Sequence, residues 1–250
     1  MLKVSNLGIN FGGLQAVTDF NLEIFENELV GLIGPNGAGK TTVFNLLTGV
    51  YSPTSGGIEL DKVSFYGKKP HEISKLGVAR TFQNIRLFKN LTVLDNVKIG
   101  IHNIEYYSTF DAVFKTNKYK NVEARMNHKA IELLKIFDLS QYANIKACNL
   151  PYGKQRELEI VRALASNPKL LLLDEPAAGM NPQETENLML LIKKIKNEFK
   201  ISILLIEHDM NLVMNICEKI TVLNYGKVLA TGTPKKIQSN KDVIKAYLGG

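Results

Sequence analysis

Gly34-Pro35-Asn36-Gly37-Ala38-Gly39-Lys40-Thr41, with Thr42 directly after it, is the stretch from which the fold can be read. The apolar run ELVGLIG leads into it, and TTVFNLLTGV leaves it with Val43, Leu46 and Leu47 at helical spacing. Strand, glycine-rich turn and helix, in that order, are the context required by the phosphate-loop pattern G-x-x-x-x-G-K-[ST]. Glycines let the chain turn tightly so that successive backbone N–H groups face phosphate oxygens, and the helix N-terminus adds positive potential. In that setting Lys40 is expected to reach the outer phosphates and Thr41 to ligate magnesium. A glycine-rich turn with a surface lysine is the plainer alternative, disfavoured by the strand and helix on either side.

Two more strands end in groups that suit the same chemistry. Leu170 to Leu173 read as an apolar strand delivering Asp174 and Glu175 at its end, where open parallel sheets place ligands. Asp174 is expected to hold magnesium through water. Glu175, one residue on and pointing differently, is expected to orient and deprotonate an attacking water. A salt-bridged acidic loop after a core strand is the other reading. ILLIEHD ends in His208, whose imidazole suits a hydrogen bond to a terminal phosphate or to the attacking water without being the main base. Gln83, after VARTF, can contact magnesium or water through its amide oxygen, although a lone glutamine carries little weight by itself.

Around these motifs, LKVSNLGINF and DFNLEIF read as strands separated by a loop-like GGLQAVT, the start of a small antiparallel sheet. YSPTSGG reads as a turn, GIELDKVSF as strand, HEISKLG as a short helix and VARTFQ as strand-like. From about Thr92 to Leu139 apolar residues recur three and four apart, so this stretch is expected to be mostly helical, with the polar, aromatic EYYSTFDAVFKTNKYK as a joint. After Gly153 the pattern predicts a helix in KQRELEIVRALASN, a strand in KLLLLDEP, a helix in ETENLMLLIKKIKN and a strand in ISILLIEHD. The close is a hairpin turned at Tyr225-Gly226 and a short helix in DVIKAYLGG. The fold class is α/β, a parallel core with an antiparallel edge and a helical subdomain.

The 250 residues, 45% apolar and 22% charged, suffice for one large domain or a domain with a small helical appendage. Thirty-one Lys and Arg against 24 Asp and Glu give a formal charge of +7, which favours an anionic partner. No window approaches the roughly 18 uncharged apolar residues of a membrane span. MLKVSNLGIN lacks the apolar run of an export signal, so the chain is expected to stay cytoplasmic. Cys148 and Cys217 lack metal-ligand spacing and are read as plain thiols.

Taken together, the phosphate loop, Gln83, Asp174-Glu175 and His208 resemble the nucleotide-binding subunit of ABC transporters, and the resemblance covers nearly the whole chain. It implies a P-loop NTPase core with an antiparallel β subdomain and a helical subdomain. It implies ATP and Mg as cofactors, with Gly34 to Thr42 and Asp174 on the nucleotide and Thr41, Gln83 and Asp174 on the metal. Phe11 in NFGGLQAV best matches the aromatic that stacks on adenine, a core role being its alternative. Gln83 in ARTFQNIRLF matches the family's glutamine loop, and the helical segment after it the surface that receives coupling helices of membrane subunits.

The family's signature stretch falls on Leu150-Pro151-Tyr152-Gly153-Lys154-Gln155, implying that Tyr152, Gly153, Lys154 and Gln155 bind the ATP of an opposite subunit across a head-to-tail dimer. Pro151 departs from the pattern: the usual serine offers a hydroxyl and an N–H to the γ-phosphate, and proline has neither. Lys154 adds a cation that compensates in part. Asn181 stands where the family commonly has an aspartate, with an amide able to bridge the dimer.

More narrowly, FGGLQAV, GPNGAGKTT, RTFQNIRLFKNLTVLDNV, DEPAAGMNPQET, LLIEHDM with NLVM, and VIKAYLG resemble the LivG-type ATPases of branched-chain amino-acid uptake. The resemblance implies one ABC ATPase domain over 1–250, with 1–91 and 156–250 mainly core and 92–155 the helical subdomain. Implied partners are two integral membrane permeases, a second ATPase chain related but different, and, indirectly, a periplasmic or extracellular solute-binding protein. The place implied is the cytoplasmic face of the membrane. A soluble nucleic-acid- or translation-associated ATPase, an importer subunit for urea or another small amide, and a slowly turning regulatory module stay open as alternatives. The single phosphate loop and the lack of basic-aromatic interleaving argue against nucleic acid.

Overall fold

A computed structural model describes residues 1–102, 104–105 and 107–248, with Leu248 by its backbone alone. Tyr106 in the polar joint and the closing Gly249-Gly250 lie outside the described residues. The chain forms two compact units, residues 1–80 with 169–250, and residues 81–168.

The first unit opens with strands β1 (Leu2–Phe11) and β2 (Leu14–Ile24), followed by β3 (Leu29–Ile33), α1 (Lys40–Leu47), β4 (Ser55–Leu60), β5 (Val63–Ser64), α2 (Pro70–Lys75) and β6 (Val78–Arg80). The second unit is helical: α3 (Val93–Ile101), α4 (Thr109–Phe114), α5 (Asn117–Ile136), two short 3-10 turns, and α6 (Tyr152–Leu164). The first unit then resumes with β7 (Leu170–Asp174), α7 (Pro182–Phe199), β8 (Ser202–Ile206), α8 (Met210–Ile216), β9 (Lys219–Asn224), β10 (Lys227–Gly232), α9 (Pro234–Gln238) and α10 (Lys241–Leu248).

Among the described residues the strands make two sheets, in the orders β2-β1-β4-β5 and β10-β9-β3-β8-β7-β6. The first is antiparallel throughout. In the second, β9, β3, β8, β7 and β6 run parallel, and β10 pairs antiparallel at one edge. Every residue of β3, β7 and β8 is buried, which is why these segments are continuous apolar runs and do not alternate. In α5, Val122, Met126, Ala130 and Leu134 supply a buried stripe four residues apart. The second unit leaves the sheet after β6 and returns at β7, and these two strands are neighbours, with Val78 opposite Leu170.

Three local readings are corrected. GGLQAVT is not a loop: Gly12-Gly13 alone make the turn, with Gly12 at φ 58, and β2 begins at Leu14 opposite Phe11. VARTFQ is strand only as far as Arg80, so Gln83 lies beyond the sheet. Helix α6 starts at Tyr152, before Gly153, because Pro151 sits at its N-cap, where a missing N–H costs nothing. The Tyr225-Gly226 hairpin turn forms as expected, with φ of 43 and 74.

Candidate nucleotide site

Parallel strands β3, β8 and β7 are adjacent, and Leu32, Ile206 and Asp174 lie in register at the same end. The chain leaving β3 there is the loop Gly34–Gly39. Gly37 and Gly39 hold φ of 78 and 104, left-handed values that disfavour a side chain. At Gly34 a Cβ would stand 2.1 Å from the Leu223 carbonyl oxygen, so β9 itself selects glycine there. Across the loop, the Ala38 carbonyl accepts from Gly226 N at 2.9 Å, while the Gly226 carbonyl accepts from Thr18 N at 2.8 Å. The β9–β10 turn thus pins the loop between two elements.

Helix α1 begins at Lys40, with Thr41 exposed and Thr42 half-buried in its first turn. Lys40 is buried, and its Nζ donates to the carbonyls of Gly34 at 2.7 Å and Pro35 at 3.0 Å. Burial pulls its ammonium below the usual lysine range, against the opposing fields of Glu175 and Asp174. Gly37 leaves open space where a side chain would stand. A buried cation on carbonyls beside an open glycine loop fits a polyphosphate.

Asp174 ends β7, buried, and its Oδ2 accepts from Arg80 Nη2 at 2.6 Å. Arg80 reaches it from the neighbouring strand β6, donates also to Asn45 Oδ1 on α1 at 2.8 Å, and stacks over Phe44. Glu175 follows in a left-handed conformation, φ 46, its N–H donating to the Ile206 carbonyl at 2.9 Å. That twist separates the directions of the two carboxylates. Glu175 Oε1 lies 3.4 Å from His208 Nδ1, and His208 is exposed while Glu175 is nearly covered. The oxygens of Thr41 and Asp174 are hard donors of the kind that suits magnesium with retained waters.

Phe11 is 43% exposed and its ring meets that of Tyr51 edge-on at 5.1 Å, so it is a surface platform and not a core residue. Gln83 and the stretch 150–155 belong to the second unit. Gln83 is exposed, and its carbonyl accepts from Arg156. Tyr152, Gly153 and Lys154 form the first turn of α6. Lys154 Nζ pairs with Glu157 at 2.7 Å, and Gln155 Nε2 donates to the Leu150 carbonyl at 2.8 Å. Asn181 caps α7, its Oδ1 accepting from Glu184 N at 2.9 Å.

Several residues here carry no motif and escaped the sequence. Glu207, fully buried before His208, accepts from Ala177 N at 2.8 Å and His208 N at 3.2 Å, and burial pushes its carboxyl above the usual range. A charged residue closing an apolar strand was the available signal. Tyr247 on α10 is pushed up to about 12 by burial. A cavity of about 420 Å³ is lined by Asp242, Lys245 and Ala246 of α10 and by Pro35–Ala38 of the loop. Cys217 is a buried thiol and Cys148 an exposed one.

The sequence profile described as "ABC transporter" matches residues 17–178, and that described as "Branched-chain amino acid ATP-binding cassette transporter" matches 227–250. The chain is 49% identical over 249 residues to the high-affinity branched-chain amino acid transport ATP-binding protein BraF of Pseudomonas aeruginosa, covering 100% of this chain and 98% of that one. It is 47% identical, with the same coverage, to LivG of Escherichia coli K12, which bears the same description. The chain belongs to the ABC transporter ATP-binding subunits of the LivG/BraF group. Among solved structures, a nucleotide-free ATP-binding cassette from an ABC transporter matches with a TM-score of 0.87 at 30% identity, over 100% of this chain and 99% of that one. The ABC nucleotide-binding fold expected from the motifs is therefore the fold observed. No described helix is long and apolar enough to cross a membrane.

Proposed function

We propose that this chain is the Mg-dependent, ATP-hydrolysing subunit of an importer for branched-chain amino acids, acting as one ABC ATPase domain on the cytoplasmic face of the membrane. The observation that carries the reading is the convergence, at one end of β3, β8 and β7, of the glycine loop with Lys40, of His208, and of Asp174 with Glu175. The loop amides and Lys40 bind the β- and γ-phosphates, which draw the ammonium off the Gly34 and Pro35 carbonyls. Phe11 stacks on the adenine. Thr41 and Gln83 would hold magnesium, with Asp174 holding it through water; when bound, the ion neutralises charge on the transferring phosphoryl group. Glu175 orients the attacking water and takes its proton, and His208, with its Nδ1 3.4 Å from that carboxylate, steadies the carboxylate and the terminal phosphate.

The first turn of α6, at Tyr152 to Gln155, meets the nucleotide of a second, related ATPase chain, so that ATP closes the dimer and hydrolysis reopens it. Two permeases receive the motion near Gln83, and a solute-binding protein feeds them. The names of the relatives support branched-chain amino acids over urea or another amide.

The test is to isolate the tagged chain from its native membranes in mild detergent and identify its stoichiometric companions. Two hydrophobic permeases and a sibling ATPase are expected, with turnover stimulated by a binding protein loaded with leucine, isoleucine or valine. Recovery from the soluble fraction with ribosomes or nucleic acid overturns the transport reading. Stimulation by urea alone overturns the substrate.

A further inference from the structure

In the second unit, α4 presents Phe110, Val113 and Phe114 at 65%, 69% and 66% exposure, and none of its residues is buried. These are positions i, i+3 and i+4, one stripe of a helix, and the Phe110 and Phe114 rings pack on each other at 4.5 Å. The stripe is not a frayed end. Ser108 and Asp111 form a reciprocal capping box, Thr116 Oγ1 donates to Asp111 at 2.8 Å, and Thr116 caps the following helix α5. A fixed helix that turns two phenylalanines and a valine to water marks a contact surface.

The charges around the stripe say what it contacts. Lys115, Lys118 and Lys120 follow it directly, all exposed. Every described acid of the neighbourhood is already matched: Asp111 by Ser108, Thr116 and Lys118; Glu105 by Arg125 at 2.9 Å and Lys129 at 2.8 Å; Glu123 by Lys98 at 2.6 Å. Lys115 and Lys120 have no acidic partner among the described residues. An apolar stripe bordered by unmatched lysines is complementary to acyl chains beneath anionic headgroups.

We propose that α4 and the first turn of α5 bind directly to an anionic lipid bilayer, seating Phe110, Val113 and Phe114 at its surface with Lys115 and Lys120 on the headgroups. This contact needs no permease, and one short stripe gives a reversible attachment that supplements assembly with the permeases.

The chain has no tryptophan, so Phe114→Trp places a lone indole on the stripe. Its emission is expected to shift to the blue with vesicles of phosphatidylglycerol mixed into phosphatidylcholine, and not with phosphatidylcholine alone. In flotation, Phe110→Ser with Phe114→Ser, which keeps every charge, lowers recovery on the anionic vesicles by roughly tenfold. Lys115→Gln with Lys120→Gln lowers it also, and thermal melts confirm that both variants fold. Equal flotation of the serine variant and the unaltered chain overturns the proposal, because the net charge alone then binds. An indole that stays unshifted on anionic vesicles overturns it too, as does one that shifts only within the detergent-solubilised permease complex, which would assign the stripe to protein.

Discussion

Arg156 Nη2 donates to the main-chain carbonyl of Gln83 at 2.7 Å, while Nη1 of the same guanidinium donates to the Phe82 carbonyl at 2.6 Å. The arginine is fully buried, paired with Glu159 at 2.8 Å, and Glu159 in turn accepts from Arg86 N at 3.0 Å. The glutamine segment is thus clamped at both ends to α6, the helix whose first turn carries Tyr152, Gly153 and Lys154. A shift in one is a shift in the other.

Arg156→Lys keeps the charge and removes the fork, since an ammonium cannot span two carbonyls as a planar guanidinium does. Losing one charge-assisted bond costs about 1.5–3 kcal/mol, which a urea melt will read. Nucleotide affinity of the isolated chain is expected to hold, while turnover of the assembled complex falls. Equal loss of both would make Arg156 a stabilising residue without a role in coupling.

Glu175→Gln is expected to bind ATP normally, since the loop and Lys40 are untouched, and to lower turnover at this chain's site by at least about a hundredfold. Single-turnover measurement with radiolabelled ATP separates this from slow release. Unchanged chemistry would move the base elsewhere, His208 first.

Pro151→Ser sets two terms against each other. A serine N-cap gains about 1 kcal/mol for α6, and loss of the proline's restriction on the unfolded chain gives back about 0.4–1 kcal/mol. The melting temperature is therefore expected to move little. Turnover of the complex should rise, because the serine restores a hydroxyl and an N–H. The Lys154 ammonium is held by Glu157 at 2.7 Å in a half-buried pair. Unchanged turnover would show that Pro151 does not limit the second site.

Arg80→Met removes the guanidinium that donates to the buried Asp174 carboxylate, a change that costs about 3–5 kcal/mol for a covered pair. In the proposed site magnesium, brought in with ATP, would supply positive charge at the same carboxylate. The two are expected to raise the variant's melting temperature more than that of the unaltered chain; an equal rise would place the metal away from Asp174.

Glu207 gives the fold a pH dependence of defined sign. Its carboxyl titrates above its ordinary 4.5 because burial disfavours the charge. The folded state therefore holds the proton more firmly than the unfolded one, and this contribution to stability is full in acid and fades as pH rises through the raised value. The stability difference between the unaltered chain and Glu207→Gln, from urea melts between pH 4.5 and 8, should fall as pH rises. A flat difference would mean an ordinary carboxylate.

Much of this was legible because the informative residues are consecutive. Gly34 to Thr41 announces its strand, turn and helix in one reading, and Leu170 to Glu175 announces a buried strand with acids at its tip. What stayed hidden is pairing at a distance. Nothing in VARTFQ tells that Arg80 meets an acid 94 positions on, nor does Arg156 in α6 advertise carbonyls 73 and 74 positions back. The loop reading of GGLQAVT failed because glycine signals a turn without saying how soon the next strand resumes. The helix start was misjudged because Gly153 looked like a boundary, whereas Pro151 supplies one two residues earlier.

The chain departs from the core sheet after β6 and resumes at β7, although these strands lie side by side. Were residues 81–168 an unstructured tether, bringing its ends to adjacent strands would cost about 4 kcal/mol of chain entropy. Prior folding of the helical unit replaces that wandering length with two fixed ends. The three-residue edge strand β6, and with it Arg80, stands where the chain leaves the sheet for that unit. Asp174 takes its guanidinium from that strand, so a helical unit that folded first would also lower the chain-entropy cost of completing this pair.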